Sequence, residues 1–145
     1  MSTQEGGCFC NKIRLQFTGE PKLHALCHCA DCKKISGGDY SNNIVVTEDN
    51  FKLLSEADSR TPGTPKKISK KADTGKEIAS HFCGDCGTTC YRTGESFPGQ
   101  VIIKAGVLDS DEWVNTHTPA VELFAPERVK LHGAVEGAAQ LTAMS

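Results

Sequence analysis

The chain has 145 residues, of which 38% are hydrophobic and 23% charged, with a formal net charge of −2 at pH 7. That length and balance fit one globular domain spanning residues 1–145 and exclude a largely disordered chain. No apolar run approaches the roughly 20 residues needed to cross a bilayer, and a slightly acidic chain lacks the basic footprint of a nucleic-acid binder.

The N-terminal Met1-Ser2-Thr3-Gln4-Glu5-Gly6-Gly7 has neither the basic start nor the apolar core of a secretory signal, so a cytoplasmic location is expected, with the nucleus as the other reducing compartment. Gly6-Gly7-Cys8-Phe9-Cys10-Asn11-Lys12 reads as a tight knuckle, since Gly and Asn both accept left-handed backbone angles. Ile13, Leu15 and Phe17 alternate with polar residues and predict a strand with one face in the core. After a turn at Gly19-Glu20-Pro21, Leu23 to Leu26 predicts a second strand, leading into Cys27-His28-Cys29-Ala30-Asp31-Cys32. Lys33 to Gly38 reads as a helical turn ended by the glycine pair, followed by β-prone segments at Tyr40 to Val46 and Phe51 to Leu54.

Residues 55–65 are polar and rich in turn formers, which predicts a surface loop. Lys66 to Lys71 and Lys76 to Phe82, around Ala72-Asp73-Thr74-Gly75, read as a hairpin with a solvated basic face. It delivers the chain to a second knuckle, Cys83-Gly84-Asp85-Cys86-Gly87. Further strands are expected at Thr88 to Arg92, Gln100 to Ala105 and Val121 to Phe124. A short helix is expected to open at Asp109 as N-cap and to include Trp113, and the small residues of the tail are expected to fray. The outline is a mostly β domain with short helical turns and zinc knuckles at loop ends.

Eight cysteines without a secretion signal read as metal chemistry ahead of disulfides. Cys8, Cys10, Cys83 and Cys86 look like two halves of one closed zinc site, whose binding free energy would become folding free energy. Cys27, Cys29 and Cys32 remain as three thiols. They predict either a second zinc with an open coordination position, as catalytic sites have, or a closed site completed by His28 or Cys90. Lys33 and Lys34 follow directly and are candidates to hold the carboxylates of a thiol substrate; solvated surface lysines are the competing reading.

Three motifs, Gly-Gly-Cys-Phe-Cys, Cys-His-Cys-Ala-Asp-Cys-Lys-Lys-Ile-Ser-Gly-Gly and His-Phe-Cys-Gly-Asp-Cys-Gly-Thr-Thr, resemble the glutathione-dependent formaldehyde-activating enzyme family, shared with centromere protein V, and look most like its fungal members. The resemblance continues through Ile103-Lys104-Ala105-Gly106-Val107-Leu108-Asp109 and Val121-Glu122-Leu123-Phe124. It implies the β-tent fold, with antiparallel sheets meeting around a structural zinc on Cys8, Cys10, Cys83 and Cys86. A second, catalytic zinc is implied on Cys27, Cys29 and Cys32, with glutathione as cosubstrate, an aldehyde as partner and carbon–sulfur lyase chemistry as the activity. Glutathione plus formaldehyde giving S-hydroxymethylglutathione is the family reaction. A non-catalytic zinc module for a small thiol or a protein partner is the alternative. The sequence departs from the family pattern at Asn11, where Gly is usual, at Cys90, where an aliphatic residue is usual, and after Val129, where a tryptophan is missing.

Overall fold

The computed structural model describes residues 2–54, 63–72 and 74–144. Most of the expected 55–65 loop, and Asp73 of the hairpin turn, lie outside the described residues. The alternating segments form strands: β1 (Thr3–Gly7), β2 (Arg14–Thr18), β3 (Leu23–Cys27), β4 (Ser41–Thr47), β5 (Phe51–Leu53), β6 (Lys66–Lys71), β7 (Glu77–Phe82), β8 (Thr89–Gly94), β9 (Gln100–Lys104), β10 (Val121–Leu123) and β11 (Ala139–Gln140). Among the described residues, the short helices α1 (Ala30–Ser36) and α2 (Glu112–Thr116) join them.

The strands build a small sheet in the order β1-β2-β5 and a large one in the order β11-β10-β3-β4-β9-β8-β7-β6. Pairing is antiparallel, as expected, except where β10 returns beside β3 and β11 beside β10; both of those pairs are parallel. The tail thus adds an edge strand instead of fraying. β6 forms the other edge with every residue exposed, and its four lysines suit an edge that must not pair with another chain.

Strand parity divides the large sheet. Ile44 and Val46 of β4 and Val101 and Ile103 of β9 turn to the side where Leu15 and Phe17 of β2, Tyr91 and Trp113 complete the main core. Side chains one residue out of phase form the other face: Ala25 pairs with Asn43, Asn43 with Lys104, Val45 with Ile102, and Ile102 with Arg92. That second face carries the site.

Asp109 does not cap a helix. Its carboxylate pairs with Arg14 of β2 and its backbone N–H donates to Glu5, so α2 begins only at Glu112. Helix α1 starts earlier than the expected Lys33, because the Cys29 sulfur accepts from the Cys32 backbone N–H at 3.3 Å and caps it. Gly37 ends it in the left-handed region at φ 68°.

Candidate thiol centres and the cleft above them

Two knuckles bring the first cysteine group together. In the N-terminal one, Asn11 closes the turn at φ 70°, the left-handed geometry for which Gly is otherwise used. The Asn11 N–H donates to the Cys8 carbonyl, and the Ile13 N–H donates to the Cys8 sulfur at 3.3 Å. In the other, Gly87 at φ 80° lets its N–H reach the Cys83 carbonyl at 2.9 Å. Lys12 and Asp85 form an ion pair from one knuckle to the other, and the Phe9 N–H donates to the Thr88 hydroxyl.

The Sγ atoms of Cys8, Cys10, Cys83 and Cys86 consequently lie within 4.8 Å of one another. Tetrahedral zinc–sulfur bonds of about 2.3 Å would place sulfurs about 3.8 Å apart. Cys8–Cys10 and Cys10–Cys83 stand at 3.6 Å, so this group could hold zinc with little adjustment.

Cys27 ends β3, Cys29 caps α1 and Cys32 lies in its first turn, which gathers their sulfurs within 4.8 Å as well. The described residues bring no fourth cysteine, histidine or carboxylate into that group. Thiol hydrogen bonds from Cys27 and Cys29 pull Cys32 down to about 2; burial opposes this, and the Lys104 ammonium and the Ser41 hydroxyl reinforce it. The same hydrogen bonding, with burial, pushes the Cys27 thiol up.

Neither suggested fourth ligand closes this group. Between Phe82↔Thr89 and His81↔Tyr91, β8 has one residue more than β7, and Cys90 is that bulged residue. The bulge turns Cys90 into the main core beside Cys8 and Cys83, with no exposure, away from the triplet. His28 points the other way from its cysteine neighbours. Its Nε2 lies 2.8 Å from Oε1 of Glu122, both side chains being 1% exposed. Glu122 also accepts from the Val135 N–H at 2.8 Å, from Gln140 at 2.7 Å and from Arg128 at 3.1 Å. Burial would raise this carboxyl, but the Val135 N–H, Gln140, His28 and Arg128 together bring it down to about 2. The turn holding Cys27 and Cys29 is thus pinned from behind by a buried ion network.

A cleft of about 300 Å³ opens above the triplet, floored by Cys27, Cys29, Cys32 and Asn43. Lys33 and Lys34 do not line it: the Lys33 ammonium donates to the Glu127 carbonyl at 2.6 Å, and Lys34 is exposed on α1. The cations that do line it are Arg92 of β8 and Lys104 of β9. Lys104 donates to Asn43 Oδ1 at 2.6 Å. Burial lowers the Lys104 ammonium, the Cys32 thiolate raises it, and Arg92 lowers it further. Sequence reading passed over both residues, although Val101-Ile102-Ile103-Lys104 ends an apolar strand in a charge on the face opposite Ile103.

Among solved structures, a Rhodobacter sphaeroides protein determined by crystallography has a similar fold, with a TM-score of 0.55 at 15% identity over 79% of this chain and 97% of that one. At that identity the likeness shows the fold alone. A search of curated proteins gave no match. The family description "Glutathione-dependent formaldehyde-activating enzyme" matches residues 3–127, from β1 through the turn after β10 and across both thiol groups. The chain belongs to the glutathione-dependent formaldehyde-activating enzyme family.

Proposed function

We propose that the chain, read as one domain over residues 1–145, makes or breaks a carbon–sulfur bond between a small thiol and an aldehyde in the cleft over Cys27, Cys29 and Cys32. With glutathione and formaldehyde, the family's substrates, the product is S-hydroxymethylglutathione. The observation that carries this reading is a three-thiol group lying at the floor of a cleft wide enough for a substrate. Cys8, Cys10, Cys83 and Cys86 would hold a structural zinc, and Cys27, Cys29 and Cys32 a second one.

Zinc held by the triplet would supply Lewis acidity toward oxygen and would lower the pKa of a bound thiol. The protein's own groups provide the setting. Addition forms a bond from the thiolate sulfur to the carbonyl carbon, moves the carbonyl pair to oxygen and puts a proton there; the reverse returns thiol and aldehyde. The Lys104 ammonium, fixed by Asn43 and set beside the thiols, offsets their negative charge and gives the floor a positive potential where an oxyanion develops. Apolar walls limit water, so these charges act in a low-dielectric pocket.

The test is Cys32→Ser, with exchange between glutathione and its formaldehyde adduct followed by NMR. The variant is expected to keep the wild-type circular dichroism and the metal of the four-thiol group, and to lose the acceleration over the spontaneous reaction. Undiminished acceleration would refute the role of the triplet. No acceleration by the wild-type protein would leave a non-catalytic zinc module as the better description.

A further inference from the structure

The chemistry of the proposed function assigns no role to Arg92 and asks of the apolar walls only that they limit water. Arg92 is 8% exposed, lines the cleft, and donates from Nε to the Ser80 hydroxyl at 3.1 Å. Among the described residues it has no carboxylate partner. Its neighbour Lys104 already donates to Asn43 Oδ1 at 2.6 Å. A buried guanidinium without a counter-charge is costly, and a carboxylate is the group its planar fork matches best.

Beside Arg92 the lining changes character. Ile102 pairs with Arg92 across one strand boundary and with Val45 across the next, and Leu23 continues the row. Phe97, from the β8–β9 turn, and Phe124 and Met144, from the segments around β10 and β11, also line the cleft. Formaldehyde contributes one carbon and almost no apolar surface to cover such walls, and the backbone of glutathione is polar along its length.

We infer that the substrate is the hemithioacetal adduct of a carboxylate-bearing, glutathione-type thiol with an alkyl or aryl aldehyde, with a carboxylate on Arg92 and the apolar substituent against the row Leu23, Val45, Ile102 and Phe97. The bond concerned is the carbon–sulfur bond of the proposed function, and the inference rests on that reading for the chemistry, though not for the binding. In the cleavage direction the hydroxyl of the adduct loses its proton, its electron pair closes the carbonyl, and the thiolate leaves and takes up a proton. Nothing is oxidised or reduced.

Unreactive thioethers test this on the full chain as purified, by calorimetry with S-methyl-, S-butyl- and S-hexylglutathione. Each methylene buried against the wall is expected to tighten binding about fourfold, and S-hexylglutathione is expected to bind at least about tenfold tighter than S-methylglutathione even if only part of the chain is covered. S-hexylcysteamine, which keeps the chain and lacks both carboxylates, is expected to bind about tenfold or more weakly than S-hexylglutathione. Arg92→Gln should erase that last difference, and Phe97→Ser, in a turn, should flatten the dependence on chain length. Equal affinity along the alkyl series, or equal affinity of the two hexyl probes, would overturn the inference; both comparisons use wild-type protein and so do not depend on a variant folding. A flat series from a protein that accelerates the formaldehyde reaction would overturn this inference and leave the proposed function standing. A steep series from a protein without that activity would uphold the binding site and refute the proposed chemistry.

Discussion

Replacing Glu122 with Gln perturbs the buried network behind the thiol triplet while hardly changing side-chain volume. The carboxylate accepts four hydrogen bonds, from His28 at 2.8 Å, Val135 at 2.8 Å, Gln140 at 2.7 Å and Arg128 at 3.1 Å. An amide oxygen has two lone pairs, so it cannot serve every donor now directed at Oε2. The amide NH₂ would face His28 Nε2, forcing the proton onto Nδ1, a buried atom without a hydrogen-bond partner. Arg128 also loses its counter-charge. Losing one charge-assisted bond and leaving a cation uncompensated costs about 3 kcal/mol. For a domain of this size that lowers the thermal midpoint by about 6–12 °C.

The sign of the pH dependence follows from the direction of the shift. Glu122 titrates near 2 in the folded chain against an ordinary 4.5, so its stabilisation is fully present above pH 4.5 and is lost as the pH falls through about 2. The difference in midpoint between wild type and Glu122→Gln, followed by far-UV circular dichroism, should therefore be full at pH 7 and smaller at pH 3. If the thiols hold metal, its release in acid would affect both proteins alike. A midpoint within about 2 °C of wild type at pH 7, where about 6–12 °C is expected, or a difference that does not change with pH, would refute the reasoning.

Cys83→Ser should remove the metal of the four-thiol group and lower the thermal midpoint more than Cys32→Ser does, because it unlinks knuckles 73 residues apart; equal midpoints for the two variants would contradict the structural assignment. Cys90→Ala should leave the zinc content per chain unchanged and cost about 1 kcal/mol of stability through the small cavity it leaves; loss of metal from the triplet in this variant would show that the bulge does not hold Cys90 in the core. Gly6→Ala should be strongly destabilising by thermal melt, since a Cβ there runs into the Val107 carbonyl where β1 bridges to Leu108; a wild-type midpoint would show that this close approach is not maintained.

The legible parts of the chain are those whose physics is local. Alternation in Ile13, Leu15 and Phe17 shows a half-buried strand whatever it packs against, and two glycine-flanked thiol pairs show knuckles before any partner is known. The hidden parts depend on what arrives from elsewhere. Glu122, in Val-Glu-Leu, has the pattern of an outward-facing strand residue. It is buried because β10 lies between β3 and β11 while Arg128, Val135 and Gln140 close over it. Asp109 has the type and position of a helix cap, yet the guanidinium of Arg14, distant in sequence, takes it first. The side taken by Cys90 is hidden for a subtler reason. Strict alternation would put it on the same face as Arg92, and only the extra residue in β8 reverses it.

Strand parity also keeps the residues of the main core apart from those that line the cleft. Along β4 and β9, Ile44, Val46, Val101 and Ile103 fill the main core, while Asn43, Val45, Ile102 and Lys104 between them line the cleft. A one-residue slip would exchange these sets within the strand that slips, placing Asn43 of β4 or Lys104 of β9 in the core and apolar branches over the thiols. The packing that makes such a slip prohibitive is therefore also what fixes the Lys104 ammonium beside Cys32. Substitutions at Val45 or Ile102 reshape the cleft wall from a face that the β2 core residues never touch. On the proposed reading, the carbon substituent accepted could thus change while the core and the knuckles stay as they are.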